Sequence, residues 1–147
     1  MPLPEGFRHE TPISVRFADI DIMGHVNHAK YLTYMEQARI HYVQQVCSWQ
    51  GNWDTLGLIL AHVEVDYMLP VIFGDAVTVY TRCVRLGTKS FDLEYVMFRQ
   101  HMSAAPEAVA RAKTVMVAYD YQKRVSAPVP DSWRHAILEY EPELAQE

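Results

Sequence analysis

The sequence predicts an α+β domain in which an antiparallel sheet of about five strands curves around one long helix. Three observations carry that expectation. From His28 to about Cys47 there is no Gly or Pro, and apolar residues fall at 31, 32, 34, 35, 38, 42, 43 and 46, the spacing of three and four that marks a helix. The stretches around that run alternate with a period of two, as half-buried strands do. Short connections join the later stretches, and consecutive strands with short turns form an antiparallel meander. One helix covers only one face of a meander, so a sheet curved around it is the compact solution.

Taken in order, residues 1–10 read as a loose arm broken by Pro2, Pro4 and Gly6. Thr11 to Phe17 is β-branched and alternating, a strand. Residues 18–27 form a loop rich in Asp, Gly, His and Asn, and the wide apolar arc of the helix that follows predicts one that is largely buried. Ser48 to Gly57, with Trp49, Gly51 and Asn52, reads as a second loop. Beyond it, Ala61, Val63, Val65 and Tyr67 alternate with polar residues, and Val77, Val79 and Cys83 share one face. Leu86-Gly87-Thr88 is a tight connection to a strand with Phe91, Leu93, Tyr95 and Met97 inward. The last run sets Val109, Val115, Val117, Tyr119 and Tyr121 on one side and the small Ala110, Ala112 and Ala118 on the other, where another element can approach closely.

The 147 residues are 50% hydrophobic and 12% aromatic, which suits one domain over 1–147 and excludes disorder. A net charge of −5 argues against a general nucleic-acid binder. No stretch approaches the roughly 18 apolar residues of a membrane span, and the start has neither the basic nor the apolar region of a secretory signal. Cys47 and Cys83 are too few for a disulfide framework and read as buried thiols, so the expectation is a cytoplasmic protein. The uncovered sheet edge and the apolar surplus predict at least a homodimer.

The chemistry concentrates in Arg16-Phe-Ala-Asp19-Ile-Asp21-Ile-Met-Gly24-His25-Val-Asn27-His28-Ala-Lys-Tyr31. Asn27 is a good N-cap, and the amides of His28, Ala29 and Lys30 would face back into the loop as a site for an anion or a carbonyl. Asp21 could stand opposite them. A carbonyl held between the two would be polarised by the amides and attacked by Asp21, or by water that Asp21 activates, which suggests acyl transfer to water.

Asp21-x-x-Gly24-x-Val26-x-His28-x-x-Tyr31, with Glu36-x-Ala38-Arg39 downstream, resembles the signature of the hotdog-fold acyl-CoA thioesterases, nearest to the branch of 4-hydroxybenzoyl-CoA thioesterase. The resemblance implies a five-stranded antiparallel sheet around one helix and hydrolysis of an acyl-CoA to CoA and a carboxylic acid. It implies Asp21 as the catalytic carboxylate, nucleophile or general base, and the His28 amide as the donor to the thioester carbonyl. It also implies a homodimer or homotetramer with the site at the subunit interface, where a partner supplies residues around Lys89 and Ser90. Gly24, His25, Asn27 and Tyr31 are expected in the substrate-binding set, Tyr31 being by its residue pattern either core or pocket wall. His25-Val26-Asn27 is also similar to acyl-carrier-protein thioesterases. A hydratase or dehydratase pairing His25 or His28 with Glu36, and a non-catalytic acyl-binding protein, are the other readings.

Coenzyme A brings several phosphate charges, so an acidic protein needs local cations: Arg82, Arg85 and Lys89 flank the tight connection, and Lys123-Arg124 closes the last strand. Asp19 is assigned to loop capping or pairing with Arg16, and Glu36 to pairing with Arg39. His25-x-x-His28 has no third ligand close by, and Met23 and Lys30 spoil a calcium loop, so no metal is expected. No Gly-x-Ser-x-Gly or Gly-x-Gly-x-x-Gly occurs, and no cofactor is expected beyond coenzyme A as part of the substrate.

Overall fold

In the computed structural model, which describes residues 3–51 and 55–144, the chain order is β1 (His9–Ile13), α1 (His28–Cys47), β2 (Leu56–Tyr67), β3 (Ala76–Leu86), β4 (Ser90–Gln100), β5 (Glu107–Asp120), β6 (Val125–Ser126) and α2 (Asp131–Tyr140). All strand pairs are antiparallel, in the order β1-β3-β4-β5-β2, with β6 beside β5. Met1, Pro2 and Asn52, assigned above to arm and loop, lie outside the described residues.

Helix α1 starts and ends where its sequence pattern does. The Asn27 side chain accepts from the Ala29 amide at 2.9 Å, and Ser48 turns left-handed at φ 56° to end the last turn. The expectation of a largely buried helix needs correction, because only one face is covered. Tyr31, Tyr34, Met35, Ala38, Tyr42, Val43, Val46 and Cys47 are buried, while Leu32, Thr33 and Glu36 stay exposed along β2. The buried face meets Phe91, Leu93, Tyr95 and Met97, all fully inside, in one apolar cluster. Burying a side chain of that size contributes about 1.5–3 kcal/mol.

Four sequence expectations shift. The first strand is His9–Ile13 rather than Thr11–Phe17, since Phe17–Asp19 closes into a single 3-10 turn. On β5 the small-residue side, Ala110, Ala112 and Ala118, faces the core together with Thr114 and Met116, while Val115 and Val117 lie half-buried on the outer face. On β2 a bulge at Ala61 reverses the alternation, so Leu58 and Val65 both line the inner side. Finally, α2 has no counterpart in the expected order. It seats Trp133 and Ile137 in the core, and Glu141 at its end accepts from the Tyr42 hydroxyl at 2.8 Å and the Cys83 amide at 2.7 Å. Cys47 and Cys83 are free, buried thiols, each pushed up to about 12 by burial. Among the described residues no helix is long and apolar enough to cross a membrane.

Candidate active site

The loop before α1 is a small hairpin. Ile20 bridges Val26, the Asp21 amide donates to the His25 carbonyl at 2.9 Å, and the Gly24 amide donates to the Asp21 carbonyl at 3.0 Å. Gly24 sits at φ +83°, the left-handed conformation this turn requires and glycine takes without strain, with open space beside it.

That hairpin sends Asp19 and Asp21 to different places. Asp19 is 1% exposed and accepts from the Tyr34 hydroxyl at 2.7 Å, the Arg16 amide at 3.0 Å and the Arg16 guanidinium at 3.0 Å. Burial works to raise its carboxyl, but the Tyr34 and Arg16 hydrogen bonds outweigh that and hold it below the usual carboxylate range. Burial and the same contact raise the Tyr34 hydroxyl. Asp19 thus fills the structural role expected of it.

Asp21 is half-buried and opens onto a cleft of about 330 Å³ lined by Met23, His25, His28, Tyr31, Tyr67 and Leu69, among others. Its Oδ1 accepts from the Met23 amide at 2.9 Å and its Oδ2 from the Asn27 side chain at 3.2 Å. Asn27 therefore spans the gap between carboxylate and helix, with its Nδ2 on Asp21 and its Oδ1 on the Ala29 amide. The expectation of three open amides narrows accordingly. Ala29 is capped by that side chain and Lys30 donates to the Asn27 carbonyl at 2.8 Å, which leaves the His28 amide unpaired among the described residues.

Tyr31 is both core and wall: it is 3% exposed, donates to the Leu69 carbonyl at 3.1 Å, and burial raises its hydroxyl. The far wall was missed by sequence reasoning. Tyr67 donates to the His28 carbonyl at 3.0 Å and sets its ring edge-on to His28 and tilted against Tyr31. The only local signal was an aromatic-apolar run, Tyr67 to Leu69, stopped by Pro70.

Arg85, Lys89 and Ser90 do not line this cleft within the chain. Arg85 donates to Ser90 Oγ and Asp92 Oδ1, both at 2.8 Å, and Arg82 pairs with Glu94 at 2.8 Å. The β3–β4 turn is held against α2 by Arg134 on the Gly87 carbonyl. Glu36 is exposed and faces Arg39 at 3.7 Å in a separate groove between α1 and β2, lined by Ile40, Val43, Leu58, Leu60 and Met116. It lies eight residues from His28, about 12 Å along the helix, so His28 and Glu36 are not paired within one chain. Among the described residues no three His, Cys, Asp or Glu side chains gather to hold a metal ion.

The comparisons with known proteins give the family and the fold. Residues 15–137 match the thioesterase-like superfamily. The long-chain acyl-CoA thioesterase FadM of Escherichia coli is 30% identical over 131 residues, 87% of this chain and 96% of its own. The 1,4-dihydroxy-2-naphthoyl-CoA hydrolase of Synechococcus elongatus is 26% identical, over 80% of this chain and 85% of its own. A thioesterase from Thermus thermophilus, solved with coenzyme A and zinc, superposes with a TM-score of 0.78 at 34% identity, over 95% of this chain and 98% of its own. A carboxylate beside an open helix-start amide, on an antiparallel sheet closed over one helix and matched along most of its length to these proteins, identifies the chain as a member of the thioesterase-like superfamily, a hotdog-fold thioester hydrolase.

Proposed function

We propose that the protein hydrolyses acyl-CoA thioesters in the cleft at the start of α1. The observation that carries this reading is the Asn27 bridge, which holds the Asp21 carboxylate beside the His28 amide, unpaired among the described residues. A thioester carbonyl oxygen accepting from the His28 amide takes on charge where the helix dipole favours it. Asp21 then adds to the polarised carbon, or removes a proton from water that adds. The C–S bond breaks and the thiolate of CoA leaves and is protonated. In the first mode this leaves an Asp21–acyl anhydride, which water cleaves at the Asp21 carboxyl carbon to free the acid and restore the carboxylate; in the second the water that Asp21 activated is already the acid's new oxygen.

The relatives named for CoA thioesters support the substrate class. The free edge of β2 and the open face of α1 give a second copy a place to pack. In that assembly the partner subunit's Lys89 and the partner subunit's Ser90 would reach the cleft. Thiol release from a panel of aryl-, short- and long-chain acyl-CoAs tests the reading. Release by the wild type, lost in Asp21→Asn with substrate binding kept, supports it; equal activity of both proteins overturns the role of Asp21. A single turnover in ¹⁸O water then separates the two modes, since label in the Asp21 carboxylate marks an anhydride. Light scattering reports the oligomer.

A further inference from the structure

The wall of the cleft opposite Asp21 is a strap, residues 67–75, whose backbone is tied to four parts of the molecule. The Met68 and Leu69 amides both donate to the Val109 carbonyl, at 2.9 and 3.2 Å, at the bulge of β5. The next three carbonyls each take a different donor: Leu69 from the Tyr31 hydroxyl of α1, Pro70 from the Arg99 guanidinium of β4, and Val71 from the Val26 amide in the active-site hairpin at 2.8 Å. Beyond them Asp75, its side chain fully buried, accepts from the Ile72 amide at 3.0 Å and meets His101 Nδ1 at 2.6 Å.

Val26 neighbours Asn27, so the strap reaches the residue that bridges Asp21 to the helix. Arg99 is the one charged donor on the strap carbonyls among the described residues. It is itself confined, with its side chain 18% exposed, a second contact to Glu107 at 3.4 Å, and a buried Nε. We infer that Arg99 is a positioning residue for the thioester reaction, acting through Pro70 and Val71 on the placement of Val26 and Asn27. This inference rests on the Asp21–His28 reading for its kinetic consequence and on the strap alone for its structural one. A charged hydrogen bond is roughly twice as strong as a neutral one, and displacement of reacting groups by an ångström costs on the order of 100-fold in rate.

The test compares Arg99→Met and Arg99→Lys by acyl-CoA turnover and by hydrogen exchange at the Val26 amide. In Arg99→Met, kcat is expected to fall about 10- to 100-fold with KM within about 3-fold, and Val26 exchange to accelerate about 10-fold. Arg99→Lys retains a cationic donor and should recover most of both. Unchanged kcat, or a fall in kcat with Val26 exchange unchanged, overturns the inference. So does a loss of activity that only tracks the loss of folded protein, which Arg99→Lys should not show. If the wild type releases thiol from no acyl-CoA, the proposed function fails, and Val26 exchange by itself decides whether the strap acts as described.

Discussion

Asp19 and Asp21 stand two residues apart and meet opposite conditions on the two sides of one hairpin. On the inner side Asp19 is closed off, with Tyr34 and Arg16 supplying three donors. On the outer side Asp21 keeps two donors, Met23 and Asn27, and part of its surface toward a cleft with room for a substrate. A buried carboxylate whose oxygens are already taken by three donors stabilises a fold and has little left to offer a reacting atom. A carboxylate that is oriented but open can attack or take a proton. The contrast in surroundings is what distinguishes the two acids, since residue type does not.

The widest separation should come from Asp21→Asn, which keeps shape and removes charge. Its kcat is expected to fall about 10³-fold while stability moves by less than about 1 kcal/mol, read by thiol release beside thermal melting. If melting shifts and turnover does not, the two aspartates have been assigned the wrong way round. Asp19→Ala should do the reverse and cost about 2 kcal/mol, because it strands the buried Tyr34 hydroxyl and removes the cap on the Arg16 amide. Chemical denaturation measures it, and turnover per folded molecule should drop far less than in Asp21→Asn.

His9 extends the inner-side rule to the far end of the helix. It is 3% exposed, its Nε2 lies 3.0 Å from the Gln45 side-chain oxygen, and burial followed by the neighbouring His41 lowers it to about 4. Below its ordinary value the unfolded chain binds the proton and the folded one does not. Stability is therefore full above about pH 6.5 and declines toward pH 4, by on the order of 3 kcal/mol. Melting curves across that range should flatten in His9→Gln. Asn27→Ala sharpens the outer side, with a cost of about 1 kcal/mol from the lost cap and about 10-fold in kcat from the freed Asp21. An effect on stability alone would show that the bridge caps without positioning.

Much of this was readable in the residues, and the limits have physical causes. Helix α1 was legible to its ends because Asn27 and the unbroken run to Cys47 are local signals. The pairing of Asp19 with Arg16 was also local, three residues apart. The first strand was misplaced because Val15 and Phe17 continue its alternation after the backbone has turned. On β5 valine looked like core, yet the side that faces the core is the one carrying Ala110, Ala112, Thr114, Met116 and Ala118. Helix α2 is ten residues after a proline-broken stretch, too short to impose a period. Tyr67 and the strap could not be read at all, since their partners, His28, Tyr31, Arg99 and Val26, lie far along the chain.

The double grip of Asn27 also bears on heat. One side chain closes the first turn of α1 and holds the Asp21 carboxylate, so under the proposed chemistry fraying of that turn would disable the enzyme while the sheet and the α2-clasped end stay intact. Activity should therefore fade on warming before the cooperative melt begins and return on cooling without refolding. Shelf life and working temperature are then separate properties of this chain, the first set by its core and the second by a single amide.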